Sequence, residues 1–310
     1  MNDYPLSNKH FLINYLKQHN IRLRKRYGQN FAVDKKLFET ILAAADISPD
    51  DTIIEIGPGI GSLTEWLVSS GATVFAVEID SALHPLLEHH FANCSRFMLI
   101  KGDILHSATL NTIENVFKNH SGKRKAIANL PYYITSPILI HLLQGTLKYN
   151  RIVVTMQKEV ADRITAKTGT KQYSALTIFT QYYARCTLCG TFPPSSFFPS
   201  PQVSSSVVLI EPYDVLPMIS KNADFFHSFV KLCFTQRRKM IKNSVSALLS
   251  KWKLSIDLQK RDAILLQHDI SPDVRPECLS SETFINLANS LWEIMPQTIQ
   301  HSFLRNEKGE

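Results

Sequence analysis

A chain of 310 residues, 44% hydrophobic and 20% charged with only 11 glycines, is long enough for two domains with buried cores and excludes a collagen-like, low-complexity or disordered protein. Thirty-four Lys and Arg against 27 Asp and Glu leave a formal charge of +7, an excess that favours a polyanionic partner, nucleic acid before membrane. Five scattered cysteines exclude a disulfide framework and fit a reducing cytoplasm, and no apolar run approaches the ~20 residues of a membrane span or follows the order of a signal peptide.

Residues 1–21 form an N-terminal extension in which Leu12, Ile13, Tyr15 and Leu16 are spaced as in a short amphipathic helix, one that packs on the body or hangs free. Arg22, Arg24, Lys25 and Arg26 then lead into Tyr27-Gly28-Gln29-Asn30-Phe31. Basic residues beside aromatics and a glycine are a nucleic-acid signal, against the plainer reading of a solvated face. Asp34 caps a helix with Leu37, Phe38, Ile41, Leu42 and Ala45 on its apolar face, stopped at Ser48-Pro49-Asp50.

A short apolar strand, Ile53 to Ile56, runs into Gly57-Pro58-Gly59-Ile60-Gly61 and then a helix bearing Leu63, Trp66 and Leu67. Thr73 to Val77 is a second strand. It ends at Glu78, about twenty residues past the glycines, where nucleotide-binding folds place the acid that holds ribose hydroxyls. The GxGxG spacing, with Ser62 where the dinucleotide pattern has its third glycine, leans away from nicotinamide. Glu55, just before the loop, suits a cofactor that carries a zwitterionic amino acid in place of a pyrophosphate.

A helix with Leu86, Leu87 and Phe91 follows, its start distorted by Pro85. Phe97 to Ile100 is strand three, ending at Lys101-Gly102-Asp103, and Asp103 adds a carboxylate suited to an adenine amine. Strand four, Lys125 to Ala128, stops at Asn129-Leu130-Pro131-Tyr132, which puts an amide, exposed carbonyls and a ring at the carboxyl end of a strand, where open α/β sheets bind ligands. An amino group on a flat ring matches that set: the Asn129 oxygen and the Leu130 or Pro131 carbonyl accept its two N–H groups while Tyr132 lies on the ring face.

Ser136, with Pro137 at the first helical position, opens the next helix. Further strands read at Arg151 to Met156, Ala184 to Cys189 and Ser205 to Ile210, with helices near Glu159 to Lys167 and Ser174 to Tyr182. Cys186-x-x-Cys189 lacks a second pair, and no histidine spacing makes a ligand set, so no metal is expected. In the proline-rich loop from Phe192 to Pro201, stiffness favours a phenylalanine held out as a stacking platform. Past Glu211-Pro212 the pattern is helical to about Met295, with Arg237, Arg238 and Lys239 on a basic face that serves RNA contact or solubility alike.

The ordered motifs Gly28-Gln29-Asn30-Phe31, Glu55-Ile56-Gly57-Pro58-Gly59, Glu78, Gly102-Asp103, Asn129-Leu130-Pro131-Tyr132, Phe197-x-Pro199-x-Pro201-x-Val203 and Gln236-Arg237-Arg238-Lys239 resemble the ribosomal RNA small-subunit adenine dimethyltransferase family, of the kasugamycin-resistance type, over about residues 22–295. The resemblance implies an α/β fold: a seven-stranded Rossmann-like class I methyltransferase domain at 22–212 and a small helical domain at 213–310 that contacts RNA. It implies S-adenosyl-L-methionine held by Asn30, Ala32, Gly57, Glu78, Asp103 and Asn129, with Gln29 and Gly59 beside them. Catalysis then falls to Asn129, Leu130, Pro131 and Tyr132, with Phe197 on the other face of a flipped-out adenine.

Two adjacent adenosines in the 3′-terminal hairpin of small-subunit rRNA are the implied substrate. The implied partner is a small-subunit precursor, met by a cytoplasmic monomer. Ala32 stands where the family usually has Leu, and Ser204 where Asp is frequent. Gly57-Pro58-Gly59 and Leu130 point away from the erythromycin-resistance methyltransferases of large-subunit RNA. The remaining alternatives are a dehydrogenase and a non-catalytic RNA-binding assembly factor, against which Asn129 and Tyr132 both argue.

Overall fold

The computed structural model describes residues 4–19, 21, 29–235, 238–252 and 258–306, the side chains of 304–306 excepted. Two compact units emerge, one of Met1–Ala161 with Ala184–Pro212, the other of Asp162–Tyr183 with Tyr213–Glu310.

The first unit is built on strands β1 (Phe31–Ala32), β2 (Thr52–Ile56), β3 (Thr73–Glu78), β4 (Phe97–Lys101), β5 (Arg124–Asn129), β6 (Arg151–Gln157), β7 (Ala184–Phe192), β8 (Phe197–Phe198) and β9 (Ser205–Pro212). Seven make one sheet in the order β4-β3-β2-β5-β6-β9-β7, parallel from β4 to β6 and antiparallel at β9 and β7. All five residues of β2 are buried, which is why that strand reads as a continuous apolar run and not as an alternation. Strand order reverses between β2 and β5, so the carboxyl ends of these two flank the crevice where open sheets bind ligands.

Helices α1 (Lys9–Gln18), α2 (Lys35–Ala45), α3 (Ser62–Ser69), α4 (His84–His90), α5 (Ser107–Lys118), α6 (Thr135–Gln144) and α7 (Lys158–Ile164) follow in chain order. The Asp34 side chain accepts from Lys36 N–H and caps α2 as its sequence position predicts. A core of Phe38, Ile41, Ile53, Trp66, Leu67, Ile127 and Val207 fills the space between α2, α3 and the sheet. Each such side chain contributes roughly 1.5–3 kcal/mol on leaving water.

Two features differ from the sequence reading of this unit, the start of α6 and the pairing of β1 with β8, and a third, the place of the N-terminal extension, decides between the alternatives that reading left open. Helix α6 begins at Thr135, with Ile134 as its uncapped start, and Ser136 and Pro137 are its second and third residues. The Thr135 hydroxyl and Ile134 N–H turn back onto the Pro131 carbonyl and start the helix early. The N-terminal extension is docked: Leu6 and Leu12 are fully buried, and a 3-10 turn at Pro5–Ser7 precedes α1. Strands β1 and β8, absent from the sequence reading, pair antiparallel as a separate ribbon, Phe31 with Phe198 and Ala32 with Phe197.

The second unit holds α8 (Ala175–Tyr183), α9 (Ala223–Thr235), α10 (Ile241–Lys251), α11 (Leu258–Leu266), α12 (Ser281–Glu293) and α13 (Gln297–Asn306), the last within what reads as a polar tail. Phe225, Phe226, Phe229, Val245, Leu265, Phe284 and Leu287 form its core. Tyr173, Ile178 and Tyr182 join that core, and the Tyr182 hydroxyl meets Ser220 at 3.0 Å. Residues 162–183 therefore pack with the helical unit, where the sequence reading keeps them in the first domain; apolar faces, not order along the chain, decide the division.

Candidate active site

Strand β2 runs out at Ile56 and the chain turns through Gly57 (φ 68°), Gly59 (φ 61°) and Gly61 (φ 96°) into α3. At Gly59 a Cβ would lie 2.7 Å from the Phe31 ring in a left-handed backbone, so only glycine fits. The Gly59 N–H donates to one oxygen of Glu78 at 3.0 Å and the Asp80 N–H to the other at 2.7 Å. Glu78, 5% exposed at the end of β3, is thereby held rigid, and burial pushes its carboxyl up to about 7 despite those two bonds. Glu55 sits deeper. It accepts the Thr64 hydroxyl at 2.7 Å, and burial, reinforced by the nearby charge of Glu78, pushes it up to about 8.

Asn129 closes β5 across the crevice. Its Nδ2 donates to the Asn30 carbonyl at 2.8 Å. A carbonyl only accepts, so this bond fixes which way the amide points and turns Oδ1 away from Asn30. Leu130 is anchored by its buried side chain and by its N–H on the Thr155 carbonyl at 3.0 Å. Of the two backbone carbonyls named from the sequence, that of Pro131 is occupied by Ile134 N–H at 3.2 Å and the Thr135 hydroxyl at 3.1 Å. The Leu130 carbonyl meets no donor among the described residues. Tyr132 shares a 2.7 Å hydrogen bond with Ser205, and burial raises its phenol further above its ordinary value, so the hydroxyl is neutral at physiological pH.

Gln29, Asn30, Ala32, Gly57, Gly59, Glu78, Asn129, Leu130, Pro131 and Tyr132 line one cleft, together with Glu55. Gln29 is tied to the strand-end loop by Nε2 donating to Asp80 at 2.9 Å. Asp103 is not among the lining residues; its carboxylate accepts Leu105 N–H at 2.9 Å, and its charge works to raise the pKa of His141, which burial lowers on balance.

Phe197 is also apart. It is 1% exposed in the core with Ala32, Leu37 and Phe38, because β8 pairs with β1 and turns that ring inward. The stacking platform expected of it is not presented in this conformation. Arg22, Arg24, Lys25, Arg26 and Arg237 lie outside the described residues, while Arg238 and Lys239 are exposed ahead of α10. Two contributors escape sequence reading: Ser205, read only as the first residue of a strand, and Ile79, an apolar residue 47% exposed in the cleft wall directly after Glu78.

The profile of the ribosomal RNA adenine dimethylase family matches residues 20–289. A Lactococcus lactis protein named ribosomal RNA small subunit methyltransferase A is 39% identical over 276 residues, 89% of this chain and 92% of its own length. A protein of the same name from Streptococcus pyogenes serotype M5 is 39% identical over 280 residues, covering 90% and 95%. Among solved structures, a dimethyladenosine transferase from Plasmodium falciparum superposes with a TM-score of 0.67 at 24% identity, over 83% of this chain and 95% of that one. The 23S rRNA methyltransferase ErmE does so at 0.63 and 23%, over 84% and 99%. These two likenesses speak for the fold, a class I methyltransferase sheet. Sequence kinship over most of the length goes further: the chain belongs to the ribosomal RNA adenine dimethylase family, enzymes that methylate rRNA from S-adenosylmethionine.

Proposed function

We propose that this chain dimethylates the 6-amino groups of two adjacent adenosines in the 3′-terminal hairpin loop of small-subunit rRNA, acting on a small-subunit precursor as a cytoplasmic monomer with no membrane partner. The observation that carries the chemistry is the Asn129 amide, fixed by the Asn30 carbonyl with Oδ1 turned away from it, and beside it the Leu130 carbonyl, which meets no donor among the described residues. The names of the Lactococcus and Streptococcus relatives support the small subunit over the large. Among the described residues no helix is long and apolar enough to cross a membrane.

The cleft fits S-adenosylmethionine. At Gly57 the place of a Cβ is open, with nothing within 4 Å, and the rigid Glu78 carboxylate suits ribose hydroxyls. Gln29, Asn30, Ala32, Gly57 and Asn129 would complete the cofactor's surroundings, and Asp103, in the turn after β4 and outside the cleft lining, would have to approach to take part. When bound, the cofactor supplies an electrophilic methyl group.

The chain's own part is orientation. An adenine amine is a weak nucleophile because its lone pair is delocalised into the ring. Asn129 Oδ1 and the Leu130 carbonyl accept its two hydrogens, hold the nitrogen and aim its lone pair. Tyr132 lies against the base, and its face with the two oxygens stabilises positive charge developing on the amine. The cationic amine then releases its proton to water, and no side-chain base is required. An adenine reaches this cleft only out of its stack. Choice among adenosines rests on RNA shape read by the basic residues near 22–26 and by Arg237, Arg238 and Lys239.

The test offers immature small subunits, large subunits and free RNA with labelled cofactor and maps the modified positions. Label on two adjacent adenosines of the small subunit is expected. Label confined to the large subunit, or product stalled at the monomethyl stage, contradicts the reading.

A further inference from the structure

The segment ahead of the matched family region makes a concentrated set of contacts with the helix that the glycine loop opens. Tyr4 stacks on Trp66 with ring centroids 4.0 Å apart. The Leu6 N–H donates to the Glu65 carboxylate at 3.2 Å, and the Ser62 hydroxyl donates back to the Leu6 carbonyl at 2.9 Å. The Trp66 indole N–H donates to the Ser7 hydroxyl at 2.8 Å. Glu65, 6% exposed, also meets His90 Nε2 at 2.8 Å and so ties this segment to both α3 and α4.

Beneath these bonds Leu6, Leu12 and Leu16 share one apolar cluster with Phe31, Ile60, Leu83 and Leu86. Ile60 belongs to the glycine loop, and Phe31 is the ring against which Gly59 closes. The Lys9 ammonium lies 5.9 Å over the ring of Phe198, the strand partner of Phe31.

We propose that residues 4–18 are a working part of the cofactor site: a strap that holds the glycine loop and the first turns of α3 in their binding geometry, so that cofactor affinity depends on its docking. The inference rests on the cleft being the S-adenosylmethionine site. A loop of left-handed glycines is entropically costly to order, and α3 has eight residues with a glycine start that offers no side-chain cap. So short a helix is marginal alone, and its order must come from what packs on it. The strap supplies that order at Ser62, Glu65 and Trp66. Such coupling is reciprocal: by whatever factor the docked strap raises affinity, bound cofactor tightens the docking of the strap.

Hydrogen exchange on the full chain, with and without S-adenosylhomocysteine, tests this directly. Amides of residues 6–18 and 57–66 are expected to slow together, the strap by about tenfold, within the usual range of coupling between sites. In parallel, Leu12→Asp with Leu16→Asp detaches the strap while every cleft-lining residue keeps its identity, and calorimetry well below its melting temperature is expected to show affinity lowered by a similar factor, about tenfold. A strap that only braces the fold would lower the melting temperature and leave affinity unchanged. Protection of the glycine loop with free exchange in the strap overturns the inference alone. Protection of neither overturns the cofactor reading of the cleft as well. Should the double variant fail to fold, the exchange measurement on the unaltered chain decides.

Discussion

The Asn129 side chain, at the end of β5, is held by the backbone carbonyl of Asn30, 99 residues earlier, through a 2.8 Å hydrogen bond from Nδ2. The 29–30 segment and the Asn129 amide are thereby one unit: Gln29, next to Asn30, is fixed on Asp80, whose own N–H is fixed on Glu78. Displacing the 29–30 segment would let the amide rotate, so on the proposed mechanism a disturbance at Gln29 or Asn30 would be felt as lost orientation at Asn129.

On the proposed mechanism Ser205 would act through Tyr132, whose hydroxyl it meets. Ser205→Ala removes the 2.7 Å bond that sets the tilt of the ring, at a stability cost of about 1 kcal/mol. Single-turnover methylation is expected to slow about tenfold, a loss of transition-state positioning, while cofactor affinity is unchanged. A loss of cofactor affinity without a change in rate would show that Ser205 acts on the fold of the cleft and not on the ring.

Glu78→Ala removes a buried acceptor already gripped by Gly59 and Asp80 N–H groups. Cofactor binding should weaken by about 1.5–3 kcal/mol, the usual worth of hydrogen bonds to a charged group. Calorimetry on the folded variant reads this, and unchanged affinity would remove Glu78 from the site.

Burial raises Glu55 and Glu78 from 4.5 to about 8 and about 7. Between those limits the folded chain keeps protons that the unfolded chain has released, so this contribution to stability is complete below 4.5 and is lost as pH rises through about 7 and 8. The melting temperature without cofactor should therefore fall across that window, less steeply in Glu55→Gln, which has no proton to lose there. Ribose hydroxyls favour ionised Glu78, so cofactor affinity should instead rise as pH climbs through about 7, with proton release seen as buffer-dependent heat. Affinity that is flat with pH would contradict the ribose role.

RNA affinity should fall steeply with salt, because phosphates shed counterions on meeting a chain of charge +7. Arg238 and Lys239 are exposed, and neutralising both should flatten the log–log slope by up to about 1.4 to 1.8, roughly 0.7–0.9 for each phosphate no longer neutralised. An unaltered slope would assign them to solubility alone.

What local patterns encode was legible in the residues. Buried parallel strands read as β-branched runs at Ile53–Ile56 and Thr73–Val77, and Glu78 and Asn129 stand at strand ends where a crevice must open. What depends on distant pairing was not. Nothing near Phe197 announces that β8 pairs with Ala32 and turns the ring into the core. The docking of Leu6 depends on Ser62 and Glu65, more than fifty residues away. The choice between the Leu130 and Pro131 carbonyls needed the turn at Ile134 and Thr135, which occupies one and leaves the other.

The most direct test of the orientation mechanism is Asn129→Ala on immature small subunits, following mono- and dimethyladenosine by mass spectrometry under single turnover, with cofactor affinity measured alongside. Loss of Oδ1 should cut methyl transfer by at least about a hundredfold while most cofactor affinity remains, as when one preorganised hydrogen bond at a reacting group is removed. Because the first methyl takes away one of the two N–H groups shared between Asn129 and the Leu130 carbonyl, the two transfers should not fall by equal factors. Near wild-type turnover in a folded Asn129→Ala protein would contradict the mechanism.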